Sequence, residues 1–156
     1  MHSSKWYNVL SLMNRIVRMS GRGPDKPGVF RSLEQPTLAE IRDGVPASFL
    51  DDLKNTLEMT ETQLAKAIGV ARQTLVRRRK SQGVLPVAEA DRAAMLARVF
   101  NMALEYFDHN RDHALGWLKH PNPALGDETP LERADTAIGN EDVIDLIGRM
   151  EHGIPT

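Results

Sequence analysis

The chain has 156 residues, and its 20 lysines and arginines nearly balance its 21 aspartates and glutamates. This balance excludes a uniformly basic coat for nucleic acid or membranes. Cysteine is absent, which excludes disulfides, thiolate zinc sites and a cysteine nucleophile and favours the reducing cytoplasm. The length suffices for one domain, or two small ones, without metal or disulfide support. We expect no secretion signal and no membrane span, because polar residues interrupt residues 5–18 and no other apolar run is long enough.

Apolar residues recur at helical spacing along nearly the whole chain, which predicts an all-α fold. Residues 1–36 are predicted to form an amphipathic helix and then an arm rich in glycine and proline. The apolar stripe of this helix consists of Trp6, Val9, Leu10, Met13, Ile16 and Val17. Because Met19 precedes the arm, the residues before it are alternatively an upstream extension from a different start codon. We place a domain boundary after residue 36.

Residues 37–85 are predicted to form a compact helix-turn-helix module. Thr60 and Gln63 have the spacing of a capping box at the start of a helix. Gly69 permits the tight turn to the next helix, and Leu75 falls on the buried side of that second helix.

The second helix of this module is a candidate DNA-recognition helix, because it carries five positive charges and no acidic residue. Residues near the start of such a helix meet base edges, and those near its end meet phosphates. Gln73 suits an adenine edge, and Arg72 or Arg77 suits a guanine. The predicted DNA-binding residues are Arg72, Gln73, Thr74, Arg77, Arg78, Arg79 and Lys80. The alternative is a solvated basic surface on a module that binds only protein.

Residues 86–108 are predicted to form one long connecting helix with two apolar stripes, one through Phe100 and one through Met102. Both apolar faces must be shielded from water by other parts of the protein or by a second copy of it. The helix is therefore a central core helix, an oligomer interface, or both. DNA half-site geometry favours a homodimer, with either this helix or the stripe from Trp6 to Val17 as its interface.

Residues 109–156 are predicted to form a small helical domain. Thr129 and Glu132 have the spacing of a capping box, with Pro130 in the first turn of the helix. Gly139 is predicted to end this helix, and one more amphipathic helix follows it.

Several short motifs lie close together between residues 116 and 154, whose sequence is GWLKHPNPALGDETPLERADTAIGNEDVIDLIGRMEHGI. They are a Trp-Leu pair, a Pro-Asn-Pro-Ala-Leu-Gly loop, Thr-Pro-Leu, a Thr two residues before Ile-Gly, and a closing Glu-His-Gly. With the helix-turn-helix, this series resembles the Xre/MbcA/ParS-like antitoxins, the partners of RES-domain toxins in bacterial toxin-antitoxin operons. The resemblance covers about residues 37–156. The chain departs from the family at Asp127, where a second glycine is common, and at residues 133–135, which replace a more apolar pattern.

This resemblance implies a function in binding rather than catalysis. Members of the family bind and silence a cognate RES toxin, and the complex commonly represses its own promoter. The toxin has an ADP-ribosyltransferase-like fold and depletes NAD, so NAD belongs to the partner and this chain is expected to bind no cofactor. The expected partners are the toxin and operator DNA, with an antitoxin homodimer inside a hetero-oligomer in the cytoplasm.

The C-terminal domain is expected to contact the toxin in three places. Trp117 is an amphipathic anchor, a proline-stiffened loop presents Asn122 and Leu125, and the tail that begins at His152 lies near the mouth of the toxin's active site. The predicted toxin-binding residues are Trp117, Asn122, Leu125, Glu128, His152, Gly153, Ile154, Pro155 and Thr156. Acidic residues suit a basic surface on the toxin, namely Asp127, Glu128, Glu141, Asp142 and Asp145. The alternatives are a core aromatic for Trp117, a plain connector for the loop, and solvated surface for the acidic residues.

No motif indicates an enzyme or a metal site. His109 and His113 have the spacing of two metal ligands on one helix, but the glutamate of a metalloprotease motif is absent between them. The remaining histidines have no local relay partners, and no glycine-rich phosphate loop is present. The competing function is a stand-alone dimeric helix-turn-helix transcription regulator without a toxin partner.

Overall fold

The computed structural model describes residues 33–154, which form eight α-helices and one short 3-10 turn. In chain order, α1 is Leu38–Asp43, α2 Phe49–Leu57, α3 Glu61–Ile68, α4 Arg72–Lys80, α5 Val87–Tyr106, α6 Arg111–Leu118, α7 Pro130–Arg133 and α8 Ala137–Glu151, and the 3-10 turn is Pro123–Leu125. Pairing of β type within residues 33–154 is limited to two isolated bridges, so the predicted all-α class is confirmed. None of these helices has the length and apolar character to cross a membrane. The predicted N-terminal stripe, Pro155 and Thr156 lie outside the described residues.

Local side-chain chemistry defines where several helices begin. Thr60 Oγ1 accepts from the N–H of Gln63 at 3.2 Å, and Gln63 Oε1 accepts from the N–H of Thr60 at 2.9 Å. Thr129 and Glu132 form the same reciprocal pair, so both predicted capping boxes are confirmed. A third capping box, which the sequence analysis did not single out, lies at Thr37. These pairs satisfy backbone donors that a helix N-terminus otherwise leaves open.

Helix α5 is the centre of the hydrophobic core. Its buried apolar residues are Ala90, Ala93, Ala94, Leu96, Ala97, Val99, Phe100, Ala103 and Leu104. The many alanines let neighbouring helices approach closely. Helix α5 packs against α1, α2 and α3, which precede it in the chain, and against α6 and α8, which follow it. The prediction of a central core helix is therefore confirmed, and the proposed homodimer interface on this helix stays a prediction.

Polar contacts also join the two halves of the chain. Arg111 of α6 donates to the carbonyl of Thr56 at 3.0 Å and pairs with Glu58 at 2.9 Å, just beyond the C-terminus of α2. Lys66 of α3 pairs with Asp135 at 3.1 Å. The helix-turn-helix and the C-terminal helices therefore share one core and are linked by ion pairs across its edge.

The structure corrects the predicted role of Gly139. Helix α7 ends at Arg133, and Gly139 lies in the first turn of α8, where its N–H donates to Thr136 Oγ1 at 3.0 Å. A Cβ atom at Gly139 would collide with the main-chain carbonyl of Arg133. The glycine is therefore needed for a close approach of two backbone segments and does not end a helix.

We expect Phe100→Ala to reduce the free energy of unfolding by about 3–5 kcal/mol, because the side chain is fully buried in the core helix. Urea denaturation followed by circular dichroism measures this. Glu105→Ala, at an exposed position of the same helix, is the control and is expected to change stability by less than about 0.5 kcal/mol. Since α5 supplies the core to both halves, both variants are expected to unfold in one transition. Two separate transitions would show that the halves fold independently.

Candidate functional site

The first candidate surface is built on the turn between α3 and α4. Gly69 has a φ of +77° and donates its N–H to the carbonyl of Ala65 at 2.9 Å, which ends α3 and reverses the chain. Leu75 is fully buried, and Ala65 is nearly so, where the two helices meet. Ala71 precedes α4 and offers no side-chain cap. The predicted helix-turn-helix geometry is confirmed.

The outward face of α4 is polar and basic. Gln73, Arg77 and Lys80 are spaced i, i+4 and i+7, which places them on one face opposite Leu75, and all three are exposed. Arg72 is also exposed, whereas Thr74 is half-buried. This face can present an amide and two cations to the edge of a nucleic acid groove.

Two arginines of the predicted DNA-binding set make ion pairs within the chain. Arg78 Nε donates to Glu89 Oε2 of α5 at 3.2 Å. Arg79 donates from Nε to Asp51 Oδ1 of α2 at 2.7 Å and pairs through Nη1 with Glu61 of α3. These pairs hold α4 against three other helices. This role is not visible in the sequence, because the partners lie 11, 28 and 18 residues away in the chain.

The ion pair between Arg79 and Glu61 is reflected in the ionisation of both groups. The hydrogen bond from Arg79 lowers the pKa of Glu61 below its ordinary value of 4.5. The same contact raises the pKa of Arg79, so the pair remains charged at neutral pH. A carboxylate whose pKa is lowered on folding contributes stability that is present above its unfolded pKa and is lost as the pH falls through its folded pKa.

We expect Glu61→Gln to destabilise the protein at neutral pH, because Arg79 loses a charged partner. The difference from the unchanged chain is expected to begin shrinking as the pH falls below 4.5, the ordinary pKa at which Glu61 of the unfolded chain takes up its proton, and to vanish once the pH is below the lowered pKa of Glu61 in the folded chain. Urea denaturation over a series of pH values measures this difference. Glu105→Gln, which changes an exposed carboxylate, is the control. A difference that stays constant down to about pH 3 would contradict a role for the ionised pair.

The second candidate surface is an open groove of about 1030 Å³ between α5, the 3-10 turn and α8. Its apolar side chains include Met102, Leu125, Ile144 and Ile154. Its charged side chains are Arg133, Asp142, Asp145 and Arg149. An apolar floor with a charged rim is the anatomy of a protein-binding site.

The loop before α7 supports this groove and does not project from it. Asn122 Oδ1 accepts from the N–H of Ala124 at 2.9 Å, and the N–H of Asn122 donates to the carbonyl of Glu128 at 3.0 Å. Leu125 is only 5% exposed and belongs to the core, although it also lines the groove. Leu125 is therefore largely buried and is not displayed on the loop, and the side chain of Asn122 shapes the turn. The toxin contacts expected of both residues stay predictions.

Asp127 follows this turn in a left-handed conformation with a φ of +64°. Glycine adopts this conformation without strain, and aspartate is one of the few other residues that tolerate it. Asp127 therefore adopts a backbone conformation that glycine would also favour.

The remaining predicted toxin-binding residues are divided between the groove and its surroundings. His152 and Ile154 line the groove, and the ring Nδ1 of His152 lies 2.7 Å from the carbonyl of Gly148, so the ring donates there and caps α8. Gly153 between them is exposed. Trp117 is half-buried with its ring centroid 6.4 Å from that of Phe107, outside the groove lining.

The acidic residues of the C-terminal helices are partly neutralised within the chain. Arg133 pairs with Asp142 at 2.6 Å and with Glu128 at 3.4 Å. Glu141 and Asp145 are exposed on α8. These two carboxylates are available to a basic partner surface.

The paired histidines have no metal-binding geometry. His109 has a φ of +61° and precedes α6, so it does not share a helix face with His113. Among residues 33–154, no group of three histidine, aspartate or glutamate side chains is arranged to hold a metal ion.

Comparison with known proteins finds similarity along both halves of the chain. Residues 36–98 match the family model of the antitoxin Xre-like helix-turn-helix domain, and residues 102–153 match that of the antitoxin Xre/MbcA/ParS C-terminal toxin-binding domain. The two matches meet within α5.

Two relatives named antitoxin Xre are similar over most of their length. That of Photorhabdus laumondii is 33% identical over 126 residues, covering 80% of this chain and 85% of the relative. That of Yersinia enterocolitica is 30% identical over 114 residues, covering 73% and 77%. A chain in the crystal structure of the M. tuberculosis MbcT-MbcA toxin-antitoxin complex has a similar fold, with a TM-score of 0.53 and 23% identity over 70% of this chain and 96% of that chain.

Proposed function

The chain belongs to the Xre/MbcA/ParS family of antitoxins, and on that premise we propose that it binds and neutralises a cognate RES-domain toxin. The observation that carries this proposal is the position of the groove. The lining residues from Met102 to His152 all fall within residues 102–153, the match to the toxin-binding domain. The toxin is of the NAD-depleting, ADP-ribosyltransferase-like class, so the chain acts by occupying its partner and takes no part in the chemistry.

The groove and its rim supply the proposed contacts with the toxin. Met102, Ile144 and Ile154 offer apolar surface to an inserted toxin segment, and burial of such surface stabilises association. Glu141 and Asp145 suit a basic toxin surface and speed encounter. The tail that begins at His152 lines the groove at His152 and Ile154 and is proposed to reach the mouth of the toxin's active site.

We further propose that the complex represses its own operon through α4. Gln73 and Arg77 would meet base edges, with Arg72, Thr74 and Lys80 at the flanks or the phosphates. Arg78 and Arg79 would act indirectly by fixing α4 through their partners on α2, α3 and α5. Recognition of paired half-sites implies a homodimer within the cytoplasmic toxin-antitoxin assembly.

We expect Arg77→Ala to affect DNA binding and Arg79→Ala to affect the stability of the fold. Arg77→Ala is expected to lower operator affinity and, where the contact is to a phosphate, to reduce the slope of log K against log salt by about 0.9, with stability unchanged. Arg79→Ala is expected to lower the free energy of unfolding by about 1–3 kcal/mol, because Asp51 loses this ion pair and Glu61 keeps only the longer pair with Lys54, at 3.7 Å.

DNA binding by the toxin-antitoxin complex over a salt series, together with urea denaturation, separates these effects. Arg98→Ala, at an exposed position of α5, is the control for loss of one positive charge. If Arg77→Ala and Arg98→Ala weaken binding equally, α4 is not the recognition helix.

Co-expression with the adjacent open reading frame tests neutralisation. We expect the neighbour alone to stop growth and deplete cellular NAD, and we expect this chain to prevent both. A chain truncated after Glu151, which removes the tail from the groove, is expected to lose protection, whereas Ile138→Ala, at a position 76% exposed on the same helix, is expected to keep it.

This experiment distinguishes the proposed placement of the tail from the proposed identity of the toxin. Protection by the truncated chain would reject the placement of the tail and keep the antitoxin function. A neighbour that neither stops growth nor depletes NAD would reject the RES-toxin partner and favour a stand-alone transcription regulator.

A further inference from the structure

The groove between α5, the 3-10 turn and α8 leaves apolar side chains without a complete cover. Met102 and Ile144 are half-buried, and Ile154 is 51% exposed beside them. An apolar groove in a protein that waits for its partner is prone to non-specific association. A cover for these apolar side chains before the partner binds would reduce such association.

The described chain begins against the central helix α5, at a residue of that helix that adjoins the groove lining in sequence. The side-chain amide of Asn101 on α5 makes two hydrogen bonds of 2.8 Å with the main chain of Leu33, one to its N–H and one to its carbonyl. Asn101 immediately precedes the groove residue Met102. This bidentate contact holds the start of the described chain against the central helix, one residue from the groove lining.

The chain before Leu33 has the length to return to the groove. Fifteen residues, 18–32, separate Val17 from Leu33, and they span up to about 50 Å when extended. Helix α5 is only about 30 Å long. The predicted apolar stripe from Trp6 to Val17 can therefore reach any part of the groove.

The charges of the two chain ends are also complementary. Residues 1–32 contain six basic residues and one acidic residue. Residues 121–156 contain two basic and eight acidic residues. Lys5, Arg15 and Arg18 flank the apolar stripe, and the exposed carboxylate of Asp145 lies on the rim of the groove.

We propose that the apolar stripe from Trp6 to Val17 covers the groove of its own chain. Apolar side chains then meet Met102 and Ile144, and a basic residue of the segment meets the exposed carboxylate of Asp145. Taken with the proposed function, on which this last step rests, the toxin must displace the N-terminal segment, so the segment competes with the toxin for one surface.

The chain contains two tryptophans, which makes a direct test possible. In full-length Trp117→Phe protein, Trp6 is the one remaining tryptophan. We expect its emission to be blue-shifted and its acrylamide quenching constant to be severalfold lower than in a synthetic peptide of residues 1–22. No toxin is present, so this measurement is independent of the proposed function.

Two matched double variants in this background locate the docking site. Asp145→Arg with Ile154→Asp changes exposed groove residues and is expected to raise quenching of Trp6 to the peptide value. Glu141→Arg with Ile138→Asp makes the same chemical changes at exposed positions of α8 outside the groove lining, and is expected to leave Trp6 protected. Circular dichroism and urea denaturation confirm that both variants fold.

Three results would overturn the proposal. Quenching of Trp6 in the Trp117→Phe protein equal to that in the peptide would show that the segment does not dock. An equal rise in both double variants would show that it docks outside the groove. Protection that disappears on dilution would show that it covers a second copy of the chain and not its own groove.

Discussion

The burial of α5 constrains the rest of the structure. A helix with apolar residues on most of its surface cannot lie at the edge of a small domain, so the other helices must surround it. Its alanines leave room for close packing, and Phe100 and Leu104 fill the remaining space. The two family matches divide at this helix, but physically neither half has a complete core without it. The helix-turn-helix and the groove are therefore two surfaces of one body.

The phase of a helix decides the role of each basic residue on α4. Four residues in a row, Arg77 to Lys80, have nearly the same chemistry in the sequence. Successive residues are turned by about 100° around the helix, so Arg77 and Lys80 face outward while Arg79 lies near the buried side of Leu75. There it meets Asp51 and Glu61, which other helices bring close. A half-buried arginine with two carboxylate partners mainly positions the helix, and an exposed one is available to a ligand.

Features that depend on neighbours in sequence were predictable. The capping boxes at Thr60 and Thr129, the turn at Gly69 and the burial of Leu75 each follow from residues within a few positions of one another. The fold class follows from the helical spacing of apolar residues in the same way.

Features that depend on distant partners were not predictable. Gly139 has the sequence signature of a helix end, but its need for glycine comes from the carbonyl of Arg133, which the turn between α7 and α8 brings close. Leu125 stands in a proline-rich loop, which suggested exposure, yet the loop folds back onto α8 and buries it. Asn101 carried no signal at all, because its partner is the main chain of Leu33, 68 residues away.

The shared core limits how far substitutions can separate the two proposed functions. Substitutions in α5 alter the support of α4 and of the groove together, since Glu89 holds Arg78 and Met102 lines the groove on the same helix. The ion pair between Lys66 and Asp135 joins the two regions again at their edge. Only exposed residues, such as Arg77 on one surface and Asp145 on the other, can change one activity without moving the other. The geometry that fixes both surfaces on one helix therefore also determines which variants are informative about each.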